Sequence, residues 1–316
     1  MSIRVEWPKE GVAVVVIDAP STNNALTGDM LTGLAAAFRG LRADDATRVA
    51  VLTGGGSRAF CAGIDLKHAD AVFKMDERDV DNDPVFQMEH ASFPIVGAVR
   101  GFAINAGFEL ALACDVLLCA PCATFLDTHV KLGILPSWGL AAKLSRVIGP
   151  GAARRASLAC RPVRADEARR LGLVVDVVGE AEDASKSGRA DGTGAVDYGS
   201  PLMVEVLSLA HSIARSSPAS VAGYKKIAVD AFAAPLGAAR REERARLRAV
   251  PRVARVVLRQ DAERGGDATE REAVNGLFRE TSRNVEKRRE ERDSRQYLYA
   301  RVRRVAQTRR AGDDAT

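Results

Sequence analysis

Apolar and polar positions change period along the chain, and each change marks an element. "RVEW" (Arg4–Trp7), "VAVVVID" (Val12–Asp18) and "RVAVLTG" (Arg48–Gly54) read as strands. Between the last two, "GDMLTGLAAAFRGLRAD" (Gly28–Asp44) repeats apolar residues at helical spacing. A second unit repeats the theme, with "PIVGAVRG" (Pro94–Gly101) as strand and "AGFELALACD" (Ala106–Asp115) as helix. The short strands "VLLCAP" and "ATFL" follow, and then "GLAAKLSRVIGPGAARRASLA" (Gly139–Ala159), two helices broken at Gly-Pro-Gly. "RADEARRLGLVVDVV" (Arg164–Val178) continues as helix then strand. Strands alternating with helices predict an α/β fold with buried strands.

From Gly179 to Gly199 the sequence turns polar and rich in Gly, Ala, Ser and Asp, which predicts a mobile surface loop. Two amphipathic helices parted by Ser216-Ser217-Pro218 come next, and Val274–Gln307 predicts a long charged helix. The expected organisation is a core over 1–200 that includes the 179–199 insertion, a helical oligomerisation region over 201–250, and a charged helical extension over 251–316.

Composition narrows the class. With 316 residues, 47% hydrophobic and 28% charged, the chain has a globular composition and can bury a real core. No apolar stretch approaches the roughly 20 residues of a membrane span. "MSIRVEWPKEG" enters strand alternation at once, and the tail "GDDAT" is not a Ser-Lys-Leu address. The expected compartment is therefore the cytoplasm, with a mitochondrial location left open. Five scattered cysteines fit reduced thiols. Cys119-Ala-Pro-Cys122 has half the spacing of a zinc site or redox pair, but no second pair follows and the four histidines lack ligand spacing. No metal is expected.

Charge is uneven. Arg240–Thr316 holds 22 Lys+Arg against 14 Asp+Glu, a net +8, which leaves −3 for Met1–Ala239. The basic end would permit nucleic-acid binding, yet few aromatics accompany its arginines and base stacking is poorly provided for. "EKRREERDSR" interleaves both signs as a solvated helix face does. Lys225 and Lys226 are the cations that could meet ligand phosphates.

Two stretches carry candidate chemistry. "VAVLTGGGSRAFCAGIDL" (Val49–Leu66) and "VRGFAINAGFELALACD" (Val99–Asp115) each leave a strand through bare glycines and small residues. Such backbone is either a tight turn in a packed fold or a set of N–H donors kept free. If the loops lie side by side, two N–H groups could converge on one carbonyl oxygen. Neither stretch is a P-loop, a dinucleotide fingerprint or a nucleophile elbow.

Taken in order, "NNALT" (Asn23–Thr27), "RAFCAGIDL", "GFAINAGFELALACD", "TFLDTHVKLGILPSWG" (Thr124–Gly139) and "ADEARRLGLVVDVV" strongly resemble the crotonase family, the enoyl-CoA hydratases and isomerases. The resemblance covers about Val12–Val178. It implies a spiral of ββα units with a C-terminal helical domain, trimers or dimers of trimers, and an acyl-CoA substrate with no further cofactor. It also implies that the thioester oxygen lies between the N–H groups of Ile64, after Ala62-Gly63, and Ala106. Ile64, Asp65, Leu66 and Lys67 would line the pantetheine path. Ala106 departs from the family's usual glycine; its methyl group narrows the pocket and disfavours positive φ.

Glu109 matches one of the family's two hydratase glutamates, and its alternative role is helix N-terminal stabilisation. His129 stands where the second would be. Histidine can serve as acid or base, or simply pack. Asp127 is expected to lie deeper or to cap a turn. Trp138 is expected in the acyl pocket or its wall, or else simply in the core, Cys61 in packing rather than as a nucleophile, and Ser137 replaces the aspartate nucleophile of the family's dehalogenases. The resemblance leads to hydration of a trans-2-enoyl-CoA, then double-bond isomerisation. RNA binding or a catalytically quiet homologue are the readings of another class.

Overall fold

The computed structural model describes residues 2–65, 79–179 and 194–233, all within the unit Met1–Val250. Leu66, Lys67 and the charged extension over 251–316 lie outside the described residues. Among the described residues, no helix is long and apolar enough to cross a membrane.

The chain runs through β1 (Ser2–Lys9), β2 (Val12–Asp18), α1 (Gly28–Ala43), β3 (Val49–Gly54) and β4 (Ala59–Cys61). It continues through α2 (Pro84–Glu89), β5 (Ile95–Val99), β6 (Phe102–Ile104), α3 (Ala106–Leu112), β7 (Val116–Cys119), β8 (Thr124–Leu126) and α4 (His129–Leu132). Then come α5 (Leu140–Ile148), α6 (Pro150–Leu158), β9 (Val163–Arg164), α7 (Ala165–Arg170), β10 (Asp176–Val177), α8 (Pro201–Ala214) and α9 (Pro218–Ala233). The β-β-α succession recurs from β1 to α4, as the resemblance implies.

The two strands of each later repeat separate into different sheets. One sheet has the order β1-β2-β3-β5-β7-β10 and the other β4-β6-β8-β9. Apart from the edge pairs β1–β2 and β8–β9, the pairing is parallel. A strand of the large sheet therefore hands the chain to the small one across a tight junction, and the two glycine-rich stretches are such junctions.

Strand β2 shows why the large sheet is buried on both faces. Ala13, Val15 and Ile17 pack with Leu31, Leu34 and Phe38 of α1, whereas Val12, Val14 and Val16 pack with Leu202, Met203 and Val206 of α8. Alternate residues of a strand point to opposite faces, so a continuous apolar run needs a cover on each side. Each fully buried Val, Leu or Phe contributes roughly 1.5–3 kcal/mol. Thr27 caps α1 by accepting the Met30 N–H, and Ser200 caps α8 by accepting the Met203 N–H. Helix α8 thus completes the core.

Residues 180–193 of the segment expected to be a mobile surface loop lie outside the described residues. At its described end Val196 and Tyr198 pack on the α8 side of the sheet, the Tyr198 hydroxyl bonds Glu6, and Arg4 Nη2 donates to Gly194 O at 2.8 Å. Lys225, one of the two cations that could meet ligand phosphates, is engaged within the fold. Its ammonium lies 2.7 Å from Asp115 Oδ2 and 2.9 Å from Phe93 O, so it ties α9 to the core and is already spent.

Asn24 fastens the "NNALT" turn to the β3–β4 junction. Its Oδ1 accepts the Ala19 N–H at 2.8 Å, and its Nδ2 donates to Gly55 O at 3.0 Å and Ala59 O at 2.7 Å. Asn23 and Asn24 both adopt positive φ, which asparagine tolerates better than most residues. Asn24→Ala leaves three buried backbone groups without their partner and should cost about 2–4 kcal/mol. A chemical denaturation curve checks this, and a loss below about 0.5 kcal/mol would show the turn held by other contacts.

Candidate active site

The first loop is ordered by backbone pairing. Leu26 N–H donates to Gly63 O at 2.8 Å and Asp65 N–H donates to Leu26 O at 2.9 Å, forming a parallel bridge between Leu26 and Ile64. Ala62 N–H donates to Asn23 O at 3.1 Å. In such a bridge residues 63 and 65 address Leu26, so the N–H of residue 64 points the other way. Among the described residues the Ile64 N–H has no partner.

The second loop lies on that other side. Gly63 has φ +94°, and a Cβ there would fall 3.0 Å from Ile104 O and 3.8 Å from the Ala106 nitrogen. A Cβ on Gly107 would fall 2.2 Å from Cys61 O. Only glycine permits this approach at either position. Ala106 opens α3, where the first N–H groups of a helix have no intrahelical acceptor, and among the described residues its N–H is unpaired. The two bare junctions thus lie against each other, each offering a main-chain donor.

Ala106 itself is helical, and the unusual backbone falls one residue earlier. Asn105 has φ 48° and ψ −112°. Its own N–H donates to Leu126 O at 3.0 Å, its Oδ1 accepts the Thr128 N–H at 2.7 Å, and its Nδ2 donates to Thr128 Oγ1 at 2.9 Å. These bonds hold a conformation that costs of order 1–3 kcal/mol. The conflict expected from alanine at 106 therefore does not arise. Asn105 was missed by sequence reading, although an asparagine before a helix was the available signal.

Glu109, one turn into α3, is 2% exposed. Its Oε1 accepts the Trp138 N–H at 2.7 Å, and Leu140 N–H adds a second backbone donor. Burial raises its carboxyl above the ordinary range, while those two N–H groups and nearby His129 work in the opposite direction. The "LPSWG" segment therefore shapes the site through its main chain. Trp138, expected at the acyl pocket, is half-buried with its side chain packed on the core.

His129 is buried at the first position of α4. Its Nδ1 lies 2.7 Å from Asp127 Oδ1, which also accepts the His129 N–H at 3.0 Å. Burial works against ionised Asp127, but bonds from His129 and the Ser157 hydroxyl hold its carboxyl below the ordinary range. Glu109 interacts electrostatically with both His129 and Asp127. Three ionisable side chains from two separated stretches are thus gathered beside the loops. Asp127 was expected to be only a deeper or capping group; it does cap the start of α4, and it also holds the imidazole.

Cys61 is fully buried, and burial pushes its thiol up to about 12, the opposite of an activated nucleophile. Cys119, likewise buried and next to Cys122, is pushed up to about 12. Among the described residues, no group of three or more His, Cys, Asp or Glu could hold a metal ion. Ala62, Gly63, Ile64 and Asp65 lie together on the first loop, with Ala106 beside them.

Comparisons with known proteins give the family and the fold. Residues 8–190 match the family model described as enoyl-CoA hydratase/isomerase. "Probable enoyl-CoA hydratase 1, peroxisomal" of Arabidopsis thaliana is 49% identical over 185 residues, 58% of this chain and 69% of the relative. "Crotonyl-CoA hydratase" of Syntrophomonas wolfei subsp. wolfei is 36% identical over 173 residues, 54% of this chain and 66% of the relative. The crystal structure of an enoyl-CoA hydratase from Bacillus anthracis superimposes with a TM-score of 0.66 at 27% identity, covering 80% of this chain and 92% of that one. The matched region spans about two thirds of these curated relatives. The fold is the one these hydratases share.

Two outcomes are expected. Gly63→Ala pushes a methyl group toward Ile104 O and should separate the two donors, lowering kcat by at least about 10²-fold with KM changed less. Steady-state kinetics of the variant check this, and an unchanged kcat removes the loop contact from the chemistry. Glu109→Gln retains an acceptor for Trp138 N–H and deletes a buried charge. With the folded pKa raised, wild-type stability falls as pH climbs through the ordinary carboxyl range. The variant should therefore melt at or above wild type near neutral pH, with the gain vanishing below about pH 4, where Glu109 is protonated folded or unfolded. Melting curves at several pH values decide; a variant less stable at every pH refutes the burial penalty.

Proposed function

Because the chain belongs to the enoyl-CoA hydratase/isomerase family, we propose that it adds water across the C2=C3 bond of a trans-2-enoyl-CoA. The observation that carries this reading is the contact between the Gly63–Ile64 and Asn105–Ala106 loops, whose facing N–H groups are free of partners among the described residues. The thioester oxygen accepts from both. As the water oxygen bonds C3, the π pair moves toward C2 and negative charge grows on that oxygen. Each preorganised donor there is worth roughly 2.7–4 kcal/mol. The carbonyl then re-forms as C2 takes a proton. One proton leaves the water and one reaches C2, and Glu109 and His129 together manage both transfers.

Several other assignments belong to this reading. Ala62, Gly63, Ile64, Asp65, Leu66, Lys67 and Ala106 form the thioester and pantetheine path, and Trp138 bounds the acyl group. The only cofactor involved is the coenzyme A of the substrate. The assembly is a homotrimer or a dimer of trimers, for which the resemblance argues. The matching domain plan is a core over 1–200, whose sheet is covered by the first helix of the helical region 201–250, and then the extension 251–316; a cytoplasmic location goes with it.

Isomerisation is the second reading, favoured by one feature. A double-bond shift needs a single base, and this site keeps one family glutamate with His129 in the other's place. Purified protein given short and medium trans-2-enoyl-CoAs should consume the absorbance of the conjugated thioester. Glu109→Gln should lower kcat by at least about 10²-fold with KM little changed, the pattern of a group acting in the transition state. If instead 3-enoyl-CoA gains conjugation and trans-2-enoyl-CoA takes up no water, the isomerase reading replaces hydration.

A further inference from the structure

We propose that Asp127 is a positioning residue for the reaction, fixing His129 in the tautomer with its proton on Nδ1 so that Nε2 exchanges a proton with the reacting water or with C2. The inference rests on the hydration reading and concerns side chains other than the two main-chain donors.

Four observations converge. First, the Nδ1–Oδ1 separation is 2.7 Å, the short distance of a charge-assisted bond. Second, both partners are buried, with Asp127 3% and His129 6% exposed, so water does not compete for the contact. Third, the same Oδ1 accepts the His129 backbone N–H at 3.0 Å, and the Ser157 hydroxyl reaches the carboxylate from α6. The carboxylate is therefore held from two elements, and the imidazole is held by the carboxylate. Fourth, among the described residues Nε2 makes no hydrogen bond, whereas Nδ1 is committed to Asp127. A bond to one ring nitrogen determines which nitrogen carries the proton and leaves the other as the reacting atom. An ionised carboxylate accepts only, so its bond to Nδ1 requires the proton there.

This gives His129 a defined orientation that a glutamate at the same position would not need. A carboxylate has two equivalent oxygens and no tautomers, whereas an imidazole presents the wrong nitrogen unless something fixes it. Asp127 supplies that constraint two residues away in the chain. As a positioning residue it acts through the ring.

The test uses the full chain with ¹⁵N-labelled histidine. In the wild type, His129 should show a protonated Nδ1 with a strongly downfield proton and an unprotonated Nε2. In Asp127→Asn that proton should move upfield and part of the population should shift to the Nε2–H form. The same variant should lose at least tenfold in kcat with KM within about twofold, and a melting curve should show it folded. If the Asn variant unfolds, Ser157→Ala, which removes only the outer support of the carboxylate, should reproduce the spectroscopic change in weaker form. A wild-type spectrum with the proton on Nε2, or an Asn variant with full kcat, overturns the proposal. Should wild type hydrate no enoyl-CoA, the hydratase reading fails alone, because the tautomer is read without turnover.

Discussion

The parallel bridge between Leu26 and Ile64 is the contact on which the site depends. It uses the outward groups of residues 63 and 65 on Leu26 and so turns the Ile64 N–H away from the turn that holds it. A loop stabilised by its own internal bonds would have consumed that donor. Here the stabilisation comes from the neighbouring "NNALT" turn, and that turn is pinned by Asn24 to the strand ends on either side of the glycine run. Backbone groups left without partners are costly, and the turn supplies them to the neighbouring Ala62 N–H, Gly63 O and Asp65 N–H.

Asn105 plays the corresponding part on the other loop. Its side chain bonds Thr128, its N–H bonds the end of β8, and its positive φ directs the chain into α3. The segment it clamps is the one that carries Asp127 and His129. The residue before Ala106 is thus bonded to the stretch that carries Asp127 and His129, and tying the two stretches together limits their relative motion.

The replacement of a family glutamate by His129 is accommodated by burial rather than by exposure. Glu109, held by Trp138 and Leu140 N–H groups, remains a carboxyl raised by desolvation. Asp127 is held low by its donors. The two carboxyls are thereby pushed in opposite directions even though both are acids of nearly equal intrinsic strength.

The chain's own order determined a good deal. Periodicity in Val12–Asp18 and Gly28–Asp44, the Gly149-Pro150 break and the glycines at 63 and 107 could be read directly, because strand alternation, helix spacing and steric demand act between near neighbours. The likeness of five motifs in order pointed to the fold and to both N–H donors. Other features were decided only by tertiary structure. The kink fell on Asn105 rather than Ala106, Asp127 met the His129 ring instead of merely capping, Lys225 turned to Asp115, and Val196 with Tyr198 packed down at the end of the polar segment. Each of these depends on what a group meets across space. Hydrogen bonds and ion pairs are short-ranged and directional, so their partners are known only once residues far apart in the chain have been brought together.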